Sequence, residues 1–161
     1  MKANFKTNAM RILESEGIPF TAHHYESKDG KIDGISVAEK MGQPVETVYK
    51  TLVTMSPQKE YYVFVIPVAE ELDLKAAARA VGAKSVEMIK VADINKVTGY
   101  IRGGCSPVGM KKQYTTVIDS SCLSLERFYV SAGKIGYQLE IAPCDLIRAV
   151  GAETAQIIHK A

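Results

Sequence analysis

The sequence predicts a single α+β domain built on a mixed, largely antiparallel sheet with helices packed around it. Three observations carry this expectation. The 161 residues are 47% hydrophobic and 24% charged, which suits one compact globular unit with a sizeable core and leaves no room for a second independent domain. Two β-rich apolar segments, residues 48–55 and 61–68, are joined by Ser56-Pro57-Gln58-Lys59-Glu60, a connection with the length and chemistry of a hairpin loop. Strand segments elsewhere follow one another through short turns as well as through helices, unlike the regular βαβ alternation of a dinucleotide-binding fold.

In chain order, Phe5, Ala9, Ile12 and Leu13 recur at helical spacing over residues 4–16, and Gly17 follows as a stop, so an amphipathic helix opens the chain. Residues 18–25 read as a strand, and residues 26–34, rich in Lys, Asp and Gly, as a mobile loop. Ser36-Val37-Ala38-Glu39 has the S-x-x-E spacing of a capping box, which starts a short helix ending near Gly42. Beyond the hairpin, Asp73 caps a helix through Leu74, Ala77 and Val81 that stops at Gly82. Residues 85–89 form a short strand, and residues 92–97 give a helical turn or two before a glycine-rich stretch over 99–109. Residues 115–119, 128–131 and 137–141 are strands, with Ala132-Gly133-Lys134-Ile135-Gly136 turning between the last two. Residues 145–150 and 153–159 close the chain as helix, and no internal repeat, low-complexity tract or long linker interrupts it.

Several function classes are disfavoured at once. The polar start Met-Lys-Ala-Asn-Phe-Lys-Thr lacks the apolar core of a signal peptide, and no apolar run approaches the roughly 20 residues that span a bilayer. A soluble, intracellular, cytoplasmic protein is expected. Cys105, Cys122 and Cys144 are odd in number and widely spaced, which argues against a disulfide framework and a zinc ribbon. None of His23, His24 and His159 has the helical spacing of a zinc protease, so neither metal nor other cofactor is expected. The net charge of +2 says little about nucleic acid, since phosphate contacts come from local clusters. Lys84, Lys90, Lys96, Arg102 and Lys111-Lys112 are local candidates, equally at home as ordinary solvating side chains.

Two features concentrate the chemistry. In Val48-Tyr49-Lys50-Thr51-Leu52, strand alternation puts Lys50 on one face with Val48 and Leu52. Pointing inward, its ammonium needs an acceptor or anionic ligand, such as a phosphate or a reacting carbonyl, because an unpaired buried charge costs several kcal/mol. On an edge, its stem would simply lie along the sheet with the charge in water. The second feature is Gly99-Tyr100-Ile101-Arg102-Gly103-Gly104-Cys105-Ser106-Pro107-Val108-Gly109. Adjacent glycines let the backbone take positive φ and present N–H groups to an oxyanion or phosphate, although such loops also serve as plain turns. Neither the P-loop nor the G-x-G-x-x-G pattern is matched. Cys105 lacks a neighbouring base that would make it a nucleophile, Ser106 shapes the loop, and Tyr25 either lines core or donates a hydroxyl into a cleft.

Taken in order, Val48-Tyr49-Lys50-Thr51-Leu52, Leu72-Asp73-Leu74-Lys75, Lys84-x-Val86-Glu87-Met88, Thr98-Gly99-Tyr100, Gly103-Gly104-Cys105-Ser106-Pro107-Val108-Gly109-x-Lys111-Lys112, Ile118-Asp119 and Tyr129-Val130-Ser131-Ala132-Gly133-Lys134 resemble the YbaK/EbsC family of Cys-tRNA(Pro) deacylases. The match runs through essentially the whole chain. It implies one editing domain over residues 1–161 with a barrel-like sheet, related to the editing insertion of prolyl-tRNA synthetases and acting in trans on misacylated tRNA(Pro), with a prolyl-tRNA synthetase complex as expected partner. By the same resemblance, Lys50 sits on the 3′-terminal nucleotide or the ester and the Gly103 and Gly104 N–H groups face the carbonyl. Tyr25, Thr51, Ser106, Pro107, Ser131 and Gln138 are assigned to substrate binding.

In the family the substrate's own thiol attacks its carbonyl, which accounts for the lack of a protein nucleophile. The Gly-Gly-x-Ser-Pro form is similar to the cysteine-specific branch. Some members carry an aspartate where this chain has Gln138 and an aromatic where it has Asp33. A neutral Gln138 can neither act as a base nor balance an ammonium, so an alanine-type or broader deacylase and a non-catalytic tRNA- or synthetase-binding module stay open.

Overall fold

The computed structural model describes residues 6–159. Its elements are α1 (Asn8–Ser15), β1 (Thr21–His24), α2 (Gly34–Met41), β2 (Tyr49–Met55), β3 (Tyr61–Pro67), α3 (Leu74–Val81), β4 (Glu87–Met88), α4 (Ile94–Thr98), β5 (Thr115–Asp119), β6 (Phe128–Ser131), β7 (Tyr137–Ile141), α5 (Pro143–Val150) and β8 (Glu153–Ala155). The α+β class is as expected. The hairpin β2–β3 pairs antiparallel from Tyr49↔Pro67 to Met55↔Tyr61, and β5, β6 and β7 have the predicted bounds.

The strands form two sheets, β1-β7-β6 and β4-β2-β3-β5-β8. β1–β7, β6–β7, β2–β3 and β2–β4 are antiparallel, while β3–β5 and β5–β8 are parallel. The sheets do not close into the expected barrel. Along the outer edge of β2, Val48 bridges to Tyr129 at one end, and at the other β4 pairs with Thr54 and Met55 while Ile89 N–H donates to Val53 O at 3.2 Å. The intervening edge stays open, and that opening forms the cleft described below.

The largest core cluster lies between the sheets, where Leu13 of α1, Tyr49, Phe128, Leu139, Ile141 and Leu146 pack together. The Tyr49 and Phe128 rings meet edge to face at 4.9 Å, and the Tyr49 hydroxyl hydrogen-bonds Ser121 Oγ at 2.6 Å. Each large apolar side chain removed from water there contributes about 1.5–3 kcal/mol. A second cluster, including Phe64, Ile66, Ala77 and Ile157, seats α3 on the far side of the larger sheet.

Three sequence expectations need correction. The segment 153–159 is not helix: α5 ends at Gly151 in the left-handed region (φ 64°), and the chain then runs extended along the edge of β5 as β8. It is held there by Ile157 N–H donating to the buried Asp119 Oδ1 at 3.0 Å and Asp73 N–H donating to Ile157 O at 2.7 Å. Partners outside the segment, invisible to its local pattern, decide its conformation. The cap of α2 is Asp33, whose side chain accepts from Ser36 N–H, so the helix starts before Ser36. Residues 26–34 are pinned by Lys40, whose Nζ donates to Glu26 O at 2.7 Å, Asp29 Oδ1 at 2.7 Å and Lys31 O at 2.8 Å. In the first helix, Thr7 supplies the N-cap and Phe5 lies outside the described residues.

Candidate functional site

A cleft of about 720 Å3 occupies the junction of the two sheets. One wall is the start of β2, a second is the turn from Gly30 into α2, and a third comes from Arg102, Gly103 and Cys105 of the glycine-rich loop. Tyr25, Ser131 and Gln138 of the smaller sheet close the end. Tyr25 continues β1 through its N–H to Gly136 O at 2.8 Å. Ser131 and Gln138 are direct cross-strand partners, so their side chains share a face.

Strand register explains what β2 presents. Val48 O accepts from Val68 N–H at 2.9 Å, and antiparallel alternation then directs Lys50 and Leu52 backbone groups to β3 while Thr51 turns its N–H and C=O to the open edge. Lys50 itself is half-buried and lines the cleft. No carboxylate lies within ion-pair distance of it among the described residues. Burial pushes its pKa below the ordinary lysine value, partly offset by Glu71 and Glu70. An ammonium so placed gains most when an oxygen acceptor on a ligand arrives.

Also lining the cleft, Gly103 adopts φ +85°. A β-carbon there would stand 2.8 Å from Ile32 Cδ1 and 3.6 Å from Ile135 Cγ1. Glycine thus allows two loops to meet across the cleft.

Of the sequence-predicted residues, Lys50, Gly103, Tyr25, Thr51, Ser131 and Gln138 converge on the cleft. Gly104, Ser106 and Pro107 do not. The Gly104 N–H is already committed to Ile101 O at 2.9 Å, which contradicts its expected role facing a substrate carbonyl. Ser106 is fully buried, with its Oγ accepting from Val108 N–H at 3.2 Å, and Pro107 is buried beside it. These residues form the base that sets the loop's path. Cys105 reaches the cleft, but burial pushes its thiol up to about 11, so it stays protonated at neutral pH.

The remaining polar groups differ in what they can still bind. Ser131 Oγ accepts from Gly133 N–H at 3.2 Å. Thr51 Oγ1 and Gln138 Oε1 are buried with no hydrogen-bond partner among the described residues. His23 pairs with Glu140 at 2.7 Å, and Arg127 holds the other Glu140 oxygen at 2.9 Å. Sequence reasoning missed Ile32, Gly34, Ile35 and Val68 as cleft residues. Gly34 offered one signal, since a β-carbon there would lie 2.3 Å from Val68 Cγ1, but that packing depends on the long-range fold.

Comparison with known proteins gives the family and the fold. A profile of the aminoacyl-tRNA editing domain matches residues 33–149. EbsC of Enterococcus faecalis, which carries the name of a Cys-tRNA(Pro)/Cys-tRNA(Cys) deacylase, is 41% identical over 99% of this chain and 97% of its own. The proline–tRNA ligase of Burkholderia thailandensis is 27% identical over 81% of this chain, which spans only 23% of the synthetase. A solved structure described as a trans-editing enzyme for prolyl-tRNA synthetase superposes with a TM-score of 0.84 at 21% identity, covering 97% of this chain and 100% of the other, which speaks to the fold. Among the described residues, no helix is long and apolar enough to cross a membrane and no cluster of His, Cys, Asp and Glu could hold a metal ion.

Proposed function

Since the chain belongs to the aminoacyl-tRNA editing domain family, we propose that it clears mischarged tRNA in trans by cleaving the aminoacyl ester, with Cys-tRNA(Pro) as substrate. The observation that carries this is Lys50, an ammonium that lines the same cleft as Gly103 and has no carboxylate within ion-pair distance among the described residues. Lys50 binds an oxygen of the terminal nucleotide or the ester, and the Gly103 loop frames the carbonyl. A protein nucleophile is unnecessary. The cysteine thiol of the substrate adds to its own carbonyl, the bond to the ribose oxygen breaks, and that oxygen takes up the thiol proton, leaving free tRNA and a cyclic thioester.

Holding thiol and carbonyl in reach supplies up to about 7–11 kcal/mol in favourable systems, and one oxyanion donor about 2.7–4 kcal/mol. The protonated Cys105 is a bystander in this scheme.

Arg102 on the cleft margin and the exposed Lys111 and Lys112 beyond it offer phosphate contacts for the acceptor end. Those contacts are few, so a prolyl-tRNA synthetase complex is proposed as the source of tRNA choice, in the cytoplasm where charging takes place.

A panel of cysteinyl-, alanyl- and seryl-tRNA(Pro) tests the function. The expected result is rapid loss of the cysteinyl ester alone, and Lys50→Ala should lower that rate by about a hundredfold or more with the fold intact. Clearance of alanyl-tRNA as fast as cysteinyl-tRNA would exclude the thiol-assisted route. Binding of tRNA with no deacylation of any ester would identify a binding module instead.

A further inference from the structure

Building on the deacylase function above, we propose that Gln138 recognises the free α-ammonium group of the aminoacyl ester, so that the amine is a required feature of the substrate. Gln138 is 6% exposed and lines the cleft. Its Oε1 and Thr51 Oγ1 are the two buried side-chain polar atoms left without a hydrogen-bond partner among the described residues. Thr51 is the cross-strand partner of Val65 and shares its face toward the core between the sheets, so the Gln138 oxygen is the one left for a ligand in the cleft. Buried polar atoms are otherwise almost always satisfied, and leaving one unmet is costly, so a ligand that brings hydrogen-bond donors is favoured.

The neighbours narrow what that donor is. Lys50 can only donate and so takes an acceptor of the substrate. Ser131 Oγ already accepts from Gly133 N–H, and the Cys105 thiol is protonated. The carbonyl and ester oxygens of the substrate are themselves acceptors and cannot satisfy Gln138 Oε1. The ammonium, with three N–H bonds, can satisfy Gln138 Oε1, and the Thr51 carbonyl on the open edge of β2 is a further acceptor. The cleft then divides its labour by charge: the Lys50 cation holds the oxygens at the reacting end, and neutral acceptors hold the amine. Neutrality suits Gln138 to this task, since an amide oxygen accepts from an ammonium without competing with it for a proton.

The test compares cysteinyl-tRNA(Pro) with 3-mercaptopropionyl-tRNA(Pro), which keeps the thiol and ester, lacks the amine and adds no bulk. Each kcat/KM is divided by the spontaneous rate of its ester, because the amine also activates the ester chemically. Wild type is expected to prefer the cysteinyl substrate by about tenfold to a hundredfold, the range for hydrogen bonds to a charged group. Gln138→Leu should lose most of that preference by slowing on the cysteinyl substrate alone, and Gln138→Glu should keep it. Gln138→Met serves as a second apolar variant should Leu perturb folding, judged by thermal unfolding. Equal normalised rates on the two substrates in wild type, or full preference retained in a folded Leu or Met variant, would overturn the assignment. Failure of wild type on cysteinyl-tRNA itself would instead remove the deacylase function on which the assignment stands.

Discussion

Gly103→Ala probes the contact between the two loops that frame the cleft. Two costs can be read from the structure. The residue sits at φ +85°, where an L side chain costs about 1–2 kcal/mol. The new methyl would lie 2.8 Å from Ile32 Cδ1, the end of a flexible side chain that can move aside, adding about 1 kcal/mol at the low end of overpacking. The sum, about 2–3 kcal/mol, corresponds to a melting temperature roughly 4–12 °C lower for a domain of this size.

Gly17→Ala is the matched control. It has φ +70° with nothing within 4 Å of the added carbon, so it bears the backbone cost alone. Thermal unfolding of the two variants, with deacylation kinetics alongside, separates strain from contact. Gly103→Ala should be the less stable of the two and should raise KM, because Ile32 is displaced within the cleft wall, whereas Gly17→Ala should leave kinetics unchanged. Equal destabilisation by both, with normal deacylation by Gly103→Ala, would refute the role assigned to the Gly103–Ile32 contact.

Other outcomes follow from the same geometry. Lys40→Met should raise KM more than it lowers kcat and speed amide exchange over residues 26–31, with Lys40→Arg restoring part of both, because three oxygens of that loop converge on one ammonium. Cys105→Ala should deacylate normally, and iodoacetamide at neutral pH should label the exposed Cys144 well before Cys105, whose thiol is pushed up to about 11. For Lys50, the native pKa lies below the ordinary lysine value. At lower pH both folded and unfolded states bind the proton and the burial penalty is fully present. As pH rises through the native value the folded state releases its proton first, so Lys50 opposes folding progressively less. Lys50→Met should therefore unfold at a higher temperature than wild type near neutral pH while losing deacylation, and the alkaline limb of wild-type activity should fall below the pH expected of an ordinary lysine.

Much of this fold was legible because its signals are local. The β2–β3 hairpin announces itself by apolar runs around a Ser-Pro turn, and Asp73 caps α3 through Lys75 and Ala76 N–H as its position predicted. The errors share another cause. Residues 153–155 become strand and the chain to Ile157 stays extended through Asp119 and the β5 edge, more than thirty residues away in sequence, and no periodicity within the segment encodes that. The site divides likewise. Lys50 and Gly103 stood out as a charge in an apolar strand and a glycine pair, and the family resemblance joined them. Gly104, its neighbour, turned out to spend its N–H within the loop, and Ile32 enters the cleft from a loop that Lys40, eight residues downstream, folds back.

The single bridge between Val48 and Tyr129, backed by the Tyr49–Phe128 ring pair, makes the angle between the sheets a mechanical parameter of the enzyme. Lys50 rides on one sheet, and Ser131 and Gln138 on the other. A rotation of about 5° at that seam, over a lever of ~10 Å, displaces the facing groups by nearly ~1 Å, a misplacement that costs about a hundredfold in rate. The placement of Lys50 relative to Gln138 thus depends on the aromatic packing at the seam as well as on the cleft lining, and substitutions at Phe128, fully buried and outside that lining, should change it.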